Sequence, residues 1–366
     1  MRARLLRTLS ILASCGLLAG CDTLSYYTQA VGGQLELISR ARPIDAALAD
    51  PGTSADLRLR LERARAVREY ASRALGLPDN GSYRSYADLG RPYVVWNVFA
   101  APEFATTAVK SCFPVAGCVS YRGFFAEADA LNEAAKQRAA GHDVLVLGIP
   151  AYSTLGWFDD PLLSTFIRYP ESEVARLVFH ELAHQVVYVK NDTAFNESFA
   201  VAVERAGVRR WLVAQDRQAE LTAFLTGRQR REEFIALIEA ARSQLERVYA
   251  DGSAAKGSAA EGIESRRAKK RAAFEELKRE YAALKDRWGG FSGYDRILGP
   301  EPNNALLVSL SAYSKFVPGF ERILGEAGSD LPRFYAAVKR IAALPEQERS
   351  RCLGAQAAPA IRSAGC

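Results

Sequence analysis

Apolar residues recur along this chain at two different periods, and each change of period marks an element. Residues 53–76, TSADLRLRLERARAVREYASRALG, form one amphipathic pattern, with Thr53 or Ser54 able to cap it and Gly76 with Pro78 to stop it. From 91 to 104, RPYVVWNVFAAPEF crowds β-branched and aromatic residues together and predicts a strand, and CVSYRGFF (118–125) predicts a second. A helix is expected over about 126–140. A buried strand follows from Val144 to Leu147, then Gly148 and Pro150 loosen the backbone into a loop bounded by Pro161. Over 169–192 the signs again point to a helix. Pro170 suits its first turn, Glu171 and Glu173 complement the positive end of its dipole, and Lys190 lies near the other end. A further helix is expected over about 194–207, with Gly207 as its stop.

The C-terminal half is predicted to be mostly helical. Phe234, Ile238, Ala241, Leu245 and Val248 alternate spacings of four and three, as do Phe274, Leu277, Tyr281, Leu284 and Trp288. The low-complexity run DGSAAKGSAAEGI (251–263) separates them and reads as a flexible turn. Residues 213–288 are therefore expected to make a protruding antiparallel helical hairpin with a coiled-coil-like seam. Its second arm opens with the basic run RRAKKR (266–271), expected to be a solvated helix face, with an anionic membrane surface as the alternative partner. The fold class predicted is α+β, mainly helical, in a single domain over 21–366.

Composition changes this picture little: 366 residues, 49% hydrophobic and 25% charged, supply ample material for one large core. The first twenty residues stand apart. MRARLLRTLSILASCGLLAGC has a basic start, an apolar run too short to span a bilayer, and small residues before Cys21, so it reads as a secretory signal. LAGC at 18–21 matches the bacterial lipobox, which makes Cys21 the expected lipid-bearing terminus, and Asp22 resembles an inner-membrane retention signal. Loss of residues 1–20 removes three arginines and no acid, lowering the formal charge from +6 to +3. Nothing in that balance calls for a nucleic-acid partner. The expected location is the bacterial cell envelope, lipid-anchored and facing the oxidising periplasm, where disulfides persist. With Cys15 cleaved and Cys21 acylated, four cysteines remain and allow three pairings; the local set, Cys112–Cys118 and Cys352–Cys366, is the simplest.

The candidate chemistry sits in VFHELAHQVV (178–187). His180 and His184 are two of only three histidines, and a spacing of four stacks both on one helix face where they can reach one ion. Glu181 lies beside that face, placed to take a proton from water. The surrounding helix is apolar, and two imidazoles with a carboxylate on such a helix cost several kcal/mol unless something compensates. A metal compensates, and zinc suits two neutral imidazoles and one carboxylate. The third ligand is ambiguous. FNESFAVAVERAG (195–207) offers Glu197 and Glu204, seven apart on one face, so periodicity does not choose between them.

HELAHQ followed by NESFAVAVE resembles the gluzincin pattern of aminopeptidase N relatives and of thermolysin. That resemblance implies a zincin-like metallopeptidase domain, a small sheet beside the His-Glu-x-x-His helix, Glu197 as third ligand, and Glu204 as the residue holding a ligand histidine. The spacer between the two helices is shorter by about six residues than in aminopeptidase N, which implies a tighter connection. More widely, CFPVAGCVSYRGFF (112–125), PAYSTLGWFDDP (150–161), FHELAHQVVYVKNDTAFNESFA (179–200) and NNALLVSLSAYSKFVPGF (303–320) resemble a zinc aminopeptidase family of bacterial lipoproteins.

The expected reaction is zinc-dependent hydrolysis of a peptide or protein substrate, with Glu181 as general base. The oxyanion needs a further donor, and Tyr152 and Tyr313 are the candidates. His142, at a helix-to-strand junction, is expected to be a structural or surface residue. VLGIPAYSTLGWFDD (146–160) is expected to line the cleft and pair with an extended peptide. An aminopeptidase also needs an acid for the free amine; Asp159 and Asp160 qualify, although Asp-Asp-Pro is equally a turn signal. A lipid-anchored endopeptidase and an inactive zinc-binding scaffold are the rival readings. Intact Glu181 argues against the scaffold.

Overall fold

The computed structural model describes residues 25–113, 117–250, 259–310 and 316–354. A first helix, α1 (25–40), leads into β1 (Ala41–Pro43), α2 (Ile44–Ala49) and α3 (Ala55–Arg73). Ser54 caps α3 by accepting from the Leu57 amide, and Gly76, at φ +65, ends the turn that follows. Next come β2 (Ser85–Ala87), β3 (Val95–Pro102), β4 (Ser111–Phe113), β5 (Gly117–Val119), β6 (Arg122–Phe124), α4 (Glu127–Ala139), β7 (His142–Ile149) and β8 (Leu162–Leu163). The rest is helical: α5 (Glu171–Val186), α6 (Thr193–Ala214), α7 (Gln218–Ala250), α8 (Ala259–Arg287), α9 (Asp295–Leu298), α10 (Asn304–Leu310), α11 (Val317–Glu326), α12 (Leu331–Ala342) and α13 (Glu346–Leu353). This is an α+β fold, mainly helical, with small sheets.

β3 explains its own composition. Trp96, Val98 and Ala100 pack towards α4, whereas Phe99 and Ala101 pack towards Ala305 and Val308 of α10. Both faces are covered, so apart from Asn97 the strand is apolar instead of alternating. β7 pairs antiparallel with β3 from Val95↔Ile149 to Pro102↔His142, and β6 lies on β3's other edge. The stretch 118–125, expected as one strand, is divided: β5 pairs with β4, and β6 with β3. Cys112 and Cys118 oppose each other in the β4–β5 register and are disulfide-bonded. Cys352 is also disulfide-bonded, but Cys366, its expected partner, lies outside the described residues.

The main core is where α3, α5, α6, α11 and α12 meet, filled by Phe179, Phe195, Phe199, Phe320 and Phe334. Two helix boundaries differ from expectation. α5 stops at Val186, six residues early, and Val187 is extended. The run Val186, Val187 and Val189 is β-branched and stiff, which disfavours continuation. Asn196 then braces the connection, its side chain accepting from the Val189 amide and donating to the Val189 carbonyl, both at 2.8 Å. α6 instead runs through Gly207 to Ala214. Gly207 is a contact, not a stop: a Cβ there would lie 2.7 Å from Phe179 and 2.8 Å from Leu75.

The hairpin of α7 and α8 is present, with Phe234, Ile238, Leu245, Phe274, Leu277 and Tyr281 along its seam. It differs from expectation in two ways. Residues 259–263 belong to α8, and only 251–258 of the expected turn lie outside the described residues. Nor does it protrude freely, because Leu306, Leu307 and Leu310 of α10 share its core. Its basic run is tied to the body: Arg267 pairs with Glu103, and Lys270 donates to Asp143 at 2.6 Å. Ala268, Lys269 and Arg271 are exposed, so the run is a solvated face in part and a docking face in part. No helix among the described residues is long and apolar enough to cross a membrane.

Candidate metal centre

α5 is apolar on the sides that meet α3 and α6, and it carries His180 and His184 at the seam with α6. The two rings stand 4.9 Å apart and nearly perpendicular. Glu197, one turn into α6, faces them both: its Oε2 is 3.3 Å from His180 Nε2 and its Oε1 is 3.7 Å from His184 Nε2. All three ligand atoms lie within 4.8 Å of one another. Tetrahedral zinc with bonds of about 2.0–2.1 Å puts neighbouring ligand atoms about 3.3–3.4 Å apart, so the spacing suits that ion.

Glu204 occupies a different position. Its Oε2 is 2.9 Å from His180 Nδ1, on the far side of the ring from Glu197, and the side chain is 1% exposed. The imidazole donates Nδ1–H to that carboxylate, which leaves the Nε2 lone pair pointing at Glu197. Two acceptors face to face repel unless a proton or a metal cation lies between them: a proton on Nε2 makes His180 an imidazolium donating to both carboxylates, and a metal ion would take that proton's place. Arg176 on α5 and Arg228 on α7 hold Glu204 at 3.2 and 3.0 Å.

His184 tests the fit independently. Its side chain is 6% exposed, yet neither ring nitrogen has a hydrogen bond among the described residues; Nδ1 is buried without a partner and Nε2 is too far from Glu197. Buried imidazoles are ordinarily hydrogen-bonded. A cation at Nε2 would give that nitrogen a partner, while Nδ1–H would still have no acceptor among the described residues.

The electrostatics follow from burial. Desolvation, aided by the charge on His180, pushes His184 down to about 4, so its lone pair stays free. Burial opposes charge on His180 too, but Glu197 and Glu204 outweigh it and, with no cation present, hold that imidazole up at about 10. Burial also raises Glu204, but Arg176 and His180 overcome it and hold the carboxyl well below the usual range. Glu181 behaves oppositely: desolvation, with Glu197 and Asp160 adding negative charge, pushes it up to about 7.

A polar loop braces the end of α5. Arg68, buried on α3, donates to the carbonyls of Ser82, Pro78 and Asn80 at 2.7, 2.9 and 3.0 Å. Asn80 in turn donates to Gln185 Oε1 at 2.7 Å, and Gln185 donates to Ser82 Oγ at 3.2 Å. Across the cleft loop, Asp160 accepts from the Thr154 amide at 2.8 Å and its hydroxyl at 2.9 Å, which folds residues 153–160. Asp160 is thus occupied by its own loop, while Asp159 is exposed and closely approaches Gly81. His142 pairs with Gln137 at 2.8 Å, the structural role expected of it.

The tyrosines fall out differently from expectation. Tyr313 lies outside the described residues. Tyr152 packs edge-on against Phe125, and the groups acting on its hydroxyl are Asp160 and Tyr26, not the ligand cluster. Tyr121, between β5 and β6, is the one that feels both Glu197 and Glu181; desolvation and those charges push its phenol up to about 12, although 41% of the residue is open to solvent. Tyr188 lies 6.3 Å from the His184 ring and also feels Glu197. Nothing in local sequence distinguishes Tyr121, because only the separate pairing of β5 with β4 and of β6 with β3 carries it there.

No curated protein and no solved structure matches the chain. A family model described as "Putative aminopeptidase" matches residues 25–353, which include the ligand cluster, Glu181 and Glu204. The chain therefore belongs to that aminopeptidase family, and its buried histidines and glutamates lie within the part that defines it.

Proposed function

We propose that this protein is a zinc-dependent peptidase, an aminopeptidase in class, with His180, His184 and Glu197 as metal ligands and Glu204 orienting His180. The observation that carries the reading is the convergence of His180 Nε2, His184 Nε2 and the Glu197 carboxylate around one point. A zinc ion held there supplies Lewis-acid polarisation of a scissile carbonyl and acidifies water. Glu181 removes the proton from the attacking water and delivers it to the departing amine nitrogen. Its raised carboxyl suits both halves of that transfer at neutral pH. The Tyr121 hydroxyl donates to the developing oxyanion, the task for which the sequence offers Tyr152 and Tyr313. Among the described strands β7 pairs only with β3, and its other edge, where Asn303 already donates to the Val144 carbonyl at 3.3 Å, is the proposed place for an extended peptide.

The lipid anchor belongs to the same proposal. Cys21 carries it, and the domain works at the periplasmic face of a bacterial membrane. The sequence LAGC and the three-residue link from Cys21 to α1 support this.

The test is bound metal by elemental analysis, with cleavage of a mixed peptide library read by mass spectrometry. One zinc per chain is expected in wild type, Glu181→Gln and Tyr121→Phe alike. Cleavage by the wild type should fall by roughly 10²–10⁴-fold in E181Q and by roughly 10–10³-fold in Y121F. Cuts one residue from the N-terminus identify an aminopeptidase, and internal cuts an endopeptidase. Zinc-free wild type, or zinc-loaded protein that cuts nothing, would reject the reading.

A further inference from the structure

Glu204 is held unequally. Its Oε2 is shared between His180 Nδ1 at 2.9 Å and Arg176 at 3.2 Å, whereas its Oε1 has, among the described residues, Arg228 alone, at 3.0 Å. Arg176 is already engaged, since its Nε donates to Glu173 at 2.6 Å. Arg228 comes from a different element, the first arm of the hairpin. One guanidinium nitrogen meets Glu204, the group lies 5.5 Å from the Phe224 ring, and Nε is buried without a partner among the described residues. The side chain is 14% exposed. A desolvated arginine with one carboxylate partner costs about as much as it returns, so fold stability does not account for its place. What its contact does is stop the Glu204 carboxylate from turning away from His180.

We infer that Arg228 is a positioning residue for the metal centre: the hairpin arm carries it onto Glu204 Oε1, and the carboxylate so fixed orients His180 and sets how tightly the site holds zinc. This rests on the metal reading above. It also gives the hairpin a purpose beyond packing, because a rigid-body shift of α7 against α6 would be felt at a ligand two contacts away. Residues one contact outside a metal's ligands typically change affinity by roughly 10–100-fold when removed.

The experiment is zinc affinity of the full chain, by competition with a chromophoric chelator, for wild type, Arg228→Gln, Arg228→Lys and Arg230→Gln. The cobalt(II) absorption spectrum of each is recorded beside it. R228Q should bind zinc roughly 10–100-fold more weakly and show an altered cobalt band, with R228K intermediate. R230Q, which loses a hairpin contact to the Trp288 carbonyl but none to Glu204, should match the wild type. Wild-type affinity and an unchanged cobalt band in R228Q would overturn the inference and leave the metal site standing. If R228Q does not fold, R228K is compared with the wild type in the same way and decides the matter. A wild-type chain that binds no zinc would overturn the metal reading itself, and this inference with it.

Discussion

At the scale of single residues, the site is built from groups that burial drives apart. His184 is held neutral, while Glu204 is held ionised by arginines and an imidazole. Glu181 is held near neutrality, and this has a consequence for the metal-free chain. Its carboxyl ionises at about 7 in the folded protein, against an ordinary value of 4.5. The unfolded state therefore loses its proton first, and folding is penalised as pH rises from 4.5 through 7. Below 4.5 both states are protonated and no penalty remains. In the presence of chelator, E181Q should match the wild type near pH 4 and be more stable by about 2 kcal/mol at pH 8, a figure reduced to allow for partial solvent access. Urea denaturation at the two pH values measures it. Equal stability of the two proteins at pH 8 would show that Glu181 ionises at its ordinary value.

At the scale of elements, the centre depends on how closely α5 and α6 approach. Gly207 permits that approach, and the side chain it meets is Phe179, the residue before His180. Alanine is the better helix former by about 1 kcal/mol. Phe179 and Leu75 are both fully buried, so neither can give way to a Cβ at under 3 Å. Overpacking costs about 1–3 kcal/mol, so Gly207→Ala should lower stability by up to about 2 kcal/mol net. A thermal melt equal to or above wild type would show that the interface yields after all. Sequence periodicity found these helices but misjudged this glycine, because a glycine that stops a helix and one that admits a neighbour look alike in one dimension.

At the scale of the whole molecule, the distance from Cys21, the proposed anchor, to the folded body is short. Three residues, 22–24, separate Cys21 from α1, a span of at most about 14 Å if extended. α1 is fixed to the sheet through Gln29, which donates to the Gly123 carbonyl and accepts from the Phe125 amide. A lipid on Cys21 would thus hold the β6 side of the molecule close to the headgroups. Cys21→Ser should move the protein from the membrane fraction to the soluble fraction of fractionated cells, with loss of the acyl mass from its N-terminus. Unchanged membrane partition would rule out Cys21 as the anchor.

The sequence by itself determined what depends on near neighbours along the chain. A helix places residues four apart on one face, so His180 and His184 were legible as a pair, with Glu181 beside them. The seam of the hairpin and the strands β3 and β7 were legible for the same reason, because their periods are local. Only the tertiary structure decided between Glu197 and Glu204, which periodicity leaves equivalent: it turns one to the Nε2 atoms and the other to His180 Nδ1. It alone brought in Arg228 from 24 residues beyond Glu204 and Tyr121 from the link between β5 and β6, and it alone tied Arg267 and Lys270 of α8 to Glu103 and Asp143. Those positions follow from how helices and strands pack across long separations, and a one-dimensional pattern carries the faces of each element but not which faces meet.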